Sequence, residues 1–211
     1  PELEFYLCEQ NLDPDLPLKT PIGKSGRREK GSRVFGIDAV NEFDDLTDDI
    51  YDYCEILEIG VDTLIHESGP SQIEINLNHG DPLKLADQAF MFKRAVRQVA
   101  LKHGIHATFM SKPYQGHPGS SMHIHQNIIS KETNKNLFSD ENGNNTEEFF
   151  HFIGGLQTYL PDAMLFFAPY VNSYRRFVID ASAPINTHWG FENRTVAFRV
   201  PTSKGDSRRI E

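Results

Sequence analysis

The stretch TLIHESGPSQIEINLN, residues 63–78, decides the fold because two strand patterns stand on either side of a turn. The first pattern is TLIHE and the second is QIEINL, and the turn residues between them are Ser68-Gly-Pro-Ser71. A connection this short pairs its strands antiparallel, since a parallel pair needs a crossover of about a dozen residues or more. The sequence therefore predicts an α+β fold with an antiparallel sheet, and not a doubly wound parallel sheet.

Another strand pattern opens the chain. Leu3, Phe5 and Leu7 alternate with other residues, which is typical of a half-buried strand. This alternation places Glu2 and Glu4 side by side on one face. Later strand patterns lie at 105–110, 122–129 and 195–200. Helices are predicted at 44–58 before a glycine, at 82–103 behind the cap Asp81, and at 147–159 behind the cap Thr146, with a shorter helix after Pro161.

The composition is that of an ordinary globular chain. Its 211 residues, 38% of them apolar and 11% aromatic, can bury a substantial core as one domain. The formal charge of −9 argues against a nucleic-acid or membrane partner, and the one basic cluster, at 24–33, is predicted to be a mobile loop. No segment reaches the ~20 apolar residues of a membrane span. Cys8 and Cys54 fit free thiols of a reducing compartment, so we expect a cytoplasmic location.

Acidic residues recur on the strand patterns. They are Glu2, Glu4, Glu67 and Glu74, with Glu211 at the far end and with His123 and His125 on one face of a later strand. Any one of these glutamates alone is most simply a solvent-facing charge. If they converge, they repel one another by several kcal/mol unless cations neutralise them. Oxygen ligands with one imidazole suit Mg²⁺ or Mn²⁺ rather than structural zinc, which indicates phosphoryl transfer.

Arginines crowd the final third of the chain. They are Arg175, Arg176, Arg194, Arg199, Arg208 and Arg209. Their planar guanidinium groups bind phosphate or carboxylate oxygens well, although any one of them can equally be a surface charge. The sequence contains no Walker loop, no dinucleotide-binding glycine motif and no kinase loop, so ATP would need a different binding loop.

Six ordered motifs resemble the glutamine synthetase family over the whole chain. They are Pro1-Glu-Leu-Glu-Phe, His66-Glu-Ser-Gly-Pro-Ser-Gln-Ile-Glu74, Lys112-Pro-Tyr through Gly119-Ser-Ser-Met-His-Ile-His-Gln126, Asn172-Ser-Tyr-Arg-Arg176, Asn193-Arg-Thr-Val-Ala-Phe-Arg-Val-Pro201 and Arg208-Arg-Ile-Glu211. The resemblance implies one catalytic domain over residues 1–211 with a curved antiparallel sheet flanked by helices, an architecture shared with guanidino kinases. It also implies that an N-terminal β-grasp domain and a C-terminal remainder are absent, so we expect the isolated chain to be inactive.

The resemblance also implies a role for each motif residue. Glu4, Glu67 and Glu74 would hold one metal ion, and Glu2, His123 and Glu211 would hold the other. The remaining roles are glutamate binding for Gly119 and Arg176, stabilisation of the transferring phosphoryl group for Arg194 and Arg199, and nucleotide binding for His125 and Arg209. The cofactors implied are two or more Mg²⁺ or Mn²⁺ ions, with ATP as co-substrate.

The implied activity is that of a glutamate-amine ligase working through γ-glutamyl phosphate, in a ring-forming homo-oligomer. Glutamine synthetases carry a glutamate a few residues beyond the arginine that matches Arg176, and Ser182 stands at that position. Pro118 stands where members that use ammonia place an asparagine. The sequence of residues 116–126 and 183–195 resembles the γ-glutamylputrescine synthetase branch, so the acceptor is expected to be a polyamine such as putrescine, or ammonia. A guanidino-kinase-like phosphotransferase and a catalytically idle structural protein are the alternatives.

Overall fold

The computed structural model describes residues 1–179, 183–203 and 205–211. The chain divides into two compact units, Pro1–His123 and Ile124–Glu211. The first unit contains the large sheet, and the second contains a long helix and a small sheet. Within the described ranges, no helix combines the length and the apolar character that crossing a bilayer requires.

The sheet of the first unit has five strands, all paired antiparallel. Its strands are β1 Glu2–Glu9, β2 Val61–His66, β3 Gln72–Leu77, β4 Ile105–Thr108 and β5 Met122–His123. They lie in the order β2-β3-β1-β4, and β5 pairs with the start of β1. The predicted α+β class and the hairpin over 63–78 are confirmed.

The central position of β1 corrects the prediction of a half-buried strand. Leu3, Phe5 and Leu7 are fully buried, as predicted, but Glu4 and Tyr6 on the other face are buried as well. This second face is covered by the segment that follows β4, because the Tyr6 hydroxyl donates to the Pro118 carbonyl at 2.8 Å. A polar strand face covered in this way forms an interior site rather than a solvated surface.

Helices cover the apolar face of this sheet. They are α2 Asp44–Ile56 and α3 Pro82–Lys102, and the short helix α1 Ile37–Asn41 precedes them in the chain. Leu46 and Ile50 of α2 and Phe92 and Val96 of α3 form one core with the apolar residues of β1 and β3. The predicted start of α3 is confirmed, since the Asp81 carboxylate accepts hydrogen bonds from the first turn. The first predicted helix ends at Ile56, two residues earlier than expected.

The basic segment 24–33 is held by specific contacts that its composition did not predict. An isolated bridge joins Ile22 to Arg28, and the Arg28 guanidinium pairs with the Glu9 carboxylate. The Thr20 hydroxyl donates to the Glu29 carbonyl at 3.0 Å. These contacts fix the segment against the end of β1.

In the described part of the second unit, helix α4 spans Glu147–Phe167. The Thr146 hydroxyl caps it by accepting from the Phe149 amide at 3.3 Å. The predicted break at Pro161 is wrong, because the helix continues through this residue. A proline inside a helix removes one hydrogen bond and its ring crowds the carbonyl four residues earlier, which can kink a helix without ending it.

Short strands complete the second unit. β6 Trp189–Phe191 pairs parallel with β7 Phe198–Val200, and 3-10 helices lie at Val171–Arg176 and Gly205–Ser207. The predicted strand at 122–129 is wrong beyond His123, because its later residues form only isolated bridges, such as that from Gln126 to Ile210. One apolar core of this unit includes residues of α4 and β7 and of the segments beside them. Its buried members are Phe138, Phe149, Ile153, Phe198, Val200 and Ile210.

Candidate active site

The polar face of β1 and β3 carries the candidate residues of the first unit. Strand register places Glu4 directly opposite Glu74, and Glu2 opposite both Asn76 and His123. Side chains alternate along a strand, so these residues share the face opposite to the helices. The pairing of distant segments therefore assembles the acidic residues that the sequence analysis selected.

Glu4, Glu74 and His123 lie close enough to hold one ion. Each offers one ligand atom, and these three atoms all lie within 4.8 Å of one another. The two carboxyl groups are 8% and 6% exposed, so a negative charge on either one needs compensation. Two carboxylates and one imidazole at this spacing form a ligand set that suits a hard divalent cation.

The Glu4 carboxylate is firmly oriented. It accepts from the Ser121 amide at 3.0 Å, the Ser121 hydroxyl at 2.5 Å and the Gln72 amide at 3.1 Å, and His123 Nε2 lies 3.2 Å away. Burial opposes ionisation, but the hydrogen bonds of His123 and Ser121 outweigh it and hold the pKa of Glu4 below its usual value. Glu4 is therefore ionised at neutral pH.

Glu74 has the opposite electrostatic environment. Burial raises its pKa to about 8, with further contributions from the charges of Glu2, Glu4 and Glu67. The metal-free protein thus holds a proton on Glu74 at neutral pH, which a cation would replace. Among the described residues, the buried Asn76 Oδ1 has no hydrogen-bond partner, so this face has a further oxygen ligand to offer. The donor set therefore fits Mg²⁺ or Mn²⁺.

Glu67 follows β2 directly, at the start of the turn. Its backbone amide donates to the Gln72 carbonyl at 2.9 Å, and its charge acts on Glu74. The neighbouring His66 is 1% exposed; its Nδ1 lies 2.9 Å from the Glu67 carbonyl and its Nε2 lies 2.9 Å from the Glu29 carboxylate. Both partners are hydrogen-bond acceptors, so the two contacts together require a proton on each nitrogen or a protonated Glu29. This buried pair fixes the backbone of the turn that carries Glu67.

Gly119 lies in the segment between β4 and β5. Its carbonyl accepts from Gln72 Nε2 at 3.1 Å, the nitrogen that also donates to Glu4. The preceding Pro118 carbonyl accepts from Tyr6, so two side chains of the sheet hold this segment. The segment is thereby fixed beside the acidic cluster.

Four candidate residues of the second unit contact one another. The Arg199 guanidinium pairs with the Glu211 carboxylate, and the two backbones exchange hydrogen bonds of 2.9 and 2.8 Å. His125 Nε2 lies 3.8 Å from Glu211 Oε2, and Arg209 Nε donates to His125 Nδ1 at 3.1 Å. Because Nδ1 accepts this bond, the proton of a neutral His125 lies on Nε2.

The two remaining arginines differ in their exposure. Arg176 is half-buried at the end of a 3-10 helix, and Arg194 is exposed between β6 and β7. Near β6, the Thr202 backbone amide holds the pKa of Glu192 below its usual value, and the charges of Arg199 and Arg194 add to this effect. Ser182, which stands where glutamine synthetases carry a glutamate, lies outside the described residues.

Three polar residues of this face were not selected from the sequence. Gln72 and Asn76 flank Glu74 at a spacing of two on β3, and Ser121 precedes His123 by two. The period of two that selected the glutamates also selects these residues. Neutral polar side chains do not by themselves indicate a metal site, so the sequence offered no reason to select these three residues.

Comparisons with known proteins identify the family of the chain. The family model "Glutamine synthetase, catalytic domain" matches residues 1–211. Gamma-glutamylputrescine synthetase PuuA of Escherichia coli K12 is 40% identical over 214 residues, covering 100% of this chain and 45% of that protein. Glutamine synthetase of Pyrococcus horikoshii is 36% identical over 211 residues, covering 100% of this chain and 45% of that protein.

Solved structures give the same assignment. The structure titled "Apo GmaS without ligand" has a TM-score of 0.79 and 29% identity, covering 99% of this chain and 46% of that one. The chain belongs to the glutamine synthetase family, and the predicted resemblance is confirmed. It spans about half the length of the curated relatives it matches.

Proposed function

We propose that the protein containing this chain is an ATP-dependent ligase that joins an amine to the γ-carboxylate of L-glutamate. Family membership supports this proposal, as do relatives named glutamine synthetase and gamma-glutamylputrescine synthetase. The observation that carries it is the convergence of Glu4, Glu74 and His123 from three different strands. Such a cluster is costly without a cation and is suited to binding nucleotide phosphates through one.

Two or more Mg²⁺ or Mn²⁺ ions are proposed for the complete site. Glu4, Glu67 and Glu74 are assigned to one ion, and Glu2, His123 and Glu211 to the other. When bound, these ions would neutralise negative charge on the phosphate oxygens. Ser121 and Gln72 hold the Glu4 carboxylate in place, so this ligand is oriented before a cation arrives.

The reaction proposed has two steps. The γ-carboxylate oxygen of glutamate attacks the terminal phosphorus of ATP, and ADP leaves. The amine nitrogen then attacks the carbonyl carbon of γ-glutamyl phosphate, and phosphate leaves as the nitrogen loses a proton. In this scheme Gly119 and Arg176 bind glutamate, His125 and Arg209 bind the nucleotide, and Arg194 and Arg199 stabilise the phosphoryl group in transit.

The acceptor proposed is a polyamine such as putrescine, with ammonia as the other candidate. Pro118 and Ser182 differ from the residues of ammonia-using members, and the chain carries a net charge of −9, which attracts a cationic amine. The buried free thiols of Cys8 and Cys54 support a cytoplasmic location. Assembly into a homo-oligomeric ring is part of the same proposal.

The test supplies the complete protein with ATP and Mg²⁺, with and without glutamate, and varies the amine among ammonia, putrescine and longer polyamines. ADP release that requires both glutamate and an amine is the expected result. The Glu74→Gln variant should lose at least tenfold in rate, whereas Glu55→Gln, the same change at an exposed position of α2, should not. ADP release independent of glutamate would indicate a phosphotransferase, and no release with any amine would indicate an idle family member.

A further inference from the structure

We propose that Gln72 is a positioning residue that couples the cation site to the glutamate site through its side-chain amide. The inference rests on the proposed function, in which Glu4 binds a cation and Gly119 binds glutamate. Gln72 itself would touch neither the ion nor the substrate. It would act by holding the two groups that do.

The side chain of Gln72 is almost completely buried and uses both of its donors. Nε2 donates to Glu4 Oε2 and to the Gly119 carbonyl, each at 3.1 Å, and Oε1 accepts from the Gly69 amide at 2.8 Å. Gln72 is only 1% exposed, so water cannot replace these partners without a rearrangement of the site.

The surroundings of Gln72 determine the orientation of its amide. If oxygen and nitrogen exchanged places, Oε1 would face the Glu4 carboxylate and the Gly119 carbonyl, which are both acceptors. Nε2 would then face the N–H group of Gly69. All three contacts would become repulsive, so a single orientation is possible and the nitrogen bridges the two sites.

This bridge makes the two sites respond to each other. A cation bound to Glu4 would withdraw electron density from Oε2 and shift this atom, which changes its hydrogen bond with Gln72 Nε2. The same nitrogen also holds the Gly119 carbonyl, so the change reaches the glutamate site. By thermodynamic reciprocity, glutamate bound at Gly119 must alter cation affinity by the same factor. Ser121 contacts Glu4 through its amide and hydroxyl and has no such bond to Gly119 among the described contacts, so it provides a contrast.

The experiment measures Mn²⁺ affinity of the complete protein by electron paramagnetic resonance, without and with saturating glutamate, together with kcat and the KM for glutamate. Three variants are compared: Gln72→Met, which keeps the length but removes the hydrogen bonds, Ser121→Ala, and Gln98→Met on the exposed face of α3. We expect wild-type protein and Gln98→Met to bind Mn²⁺ more tightly when glutamate is present.

In Gln72→Met this glutamate effect should disappear, and the KM for glutamate should rise about tenfold, the equivalent of one hydrogen bond, with a smaller change in kcat. Ser121→Ala should weaken Mn²⁺ binding but keep the glutamate effect. If Gln72→Met does not fold by circular dichroism, Gln72→Leu also removes both donors and should lose the effect as well.

The inference is overturned if glutamate still tightens Mn²⁺ binding in the folded Gln72 variant. It is also overturned if Ser121→Ala loses this effect of glutamate as completely as the Gln72 variant does. Failure of the proposed function looks different. In that case the wild-type protein itself binds no Mn²⁺ or releases no ADP in response to glutamate, and the inference falls together with it.

Discussion

The most informative perturbation is Glu74→Gln in metal-free protein, because Glu74 has the most strongly raised pKa among the acidic residues of the polar face. Burial, together with the charges of Glu2, Glu4 and Glu67, raises its pKa from 4.5 to about 8. The folded state therefore prefers the neutral carboxyl. This preference favours folding fully below pH 4.5 and is lost as pH rises through 8, the pKa in the folded protein. The gap between the two values corresponds to about 5 kcal/mol.

Glutamine imitates the neutral carboxyl at every pH, so Glu74→Gln should not lose this stability. Urea unfolding in EDTA should give similar free energies for both proteins near pH 4.5. Above pH 8 the variant should be more stable than the wild type by about 5 kcal/mol. Saturating Mn²⁺ should narrow this gap, because the wild type binds the ion more tightly than the variant does. A difference between the two proteins that stays constant from pH 4.5 to 9 would refute the electrostatic account of Glu74.

Three further predictions follow from the geometry. Mn²⁺ affinity of the wild type, measured by calorimetry, should rise about tenfold per pH unit between pH 6 and the pKa of Glu74, about 8, because binding displaces its proton. Glu29→Gln should lower the free energy of unfolding by about 2 kcal/mol, since one oxygen of Glu29, Oε2, contacts both the buried His66 Nε2 and the Ser71 amide. Gly69→Ala should cost at least about 2 kcal/mol, because a Cβ there would lie 1.9 Å from the Tyr6 hydroxyl.

Each of these predictions has a matched control or a clear contrary result. Mn²⁺ binding with no dependence on pH would contradict the first. The control Glu55→Gln should change the free energy of unfolding by less than about 0.5 kcal/mol. A change as small as this in Glu29→Gln would contradict the second prediction. Gly155→Ala in α4, where an added Cβ meets nothing within 4 Å, should be neutral or stabilising. A similarly harmless Gly69→Ala would contradict the third.

The parts of the fold that were predictable are those fixed by local chemistry. Helix α3 has a capping aspartate, a proline in its first turn and a regular apolar face, so its start follows from neighbours in the sequence. The hairpin of β2 and β3 follows from its short turn in the same way. The alternation in β1 also indicated correctly that Glu2 and Glu4 share a face.

Features that depend on distant partners were not predictable in this way. The burial of Glu4 and Tyr6 is produced by residues 118–121, more than a hundred positions away in the chain. The strand expected at 122–129 pairs with β1 only as far as His123, so the alternation of the later residues had no partner strand to define it. The role of Gln72 depends on two acceptors that only the folded chain brings together.

The most direct test of the central claim is the stoichiometry and affinity of Mn²⁺ binding to Glu4→Gln, Glu74→Gln and His123→Asn, with Glu55→Gln as the control. If these three side chains share a cation, each substitution should weaken the same binding step at least tenfold, and the control should bind as the wild type does. Wild-type affinity in all three variants would contradict the claim.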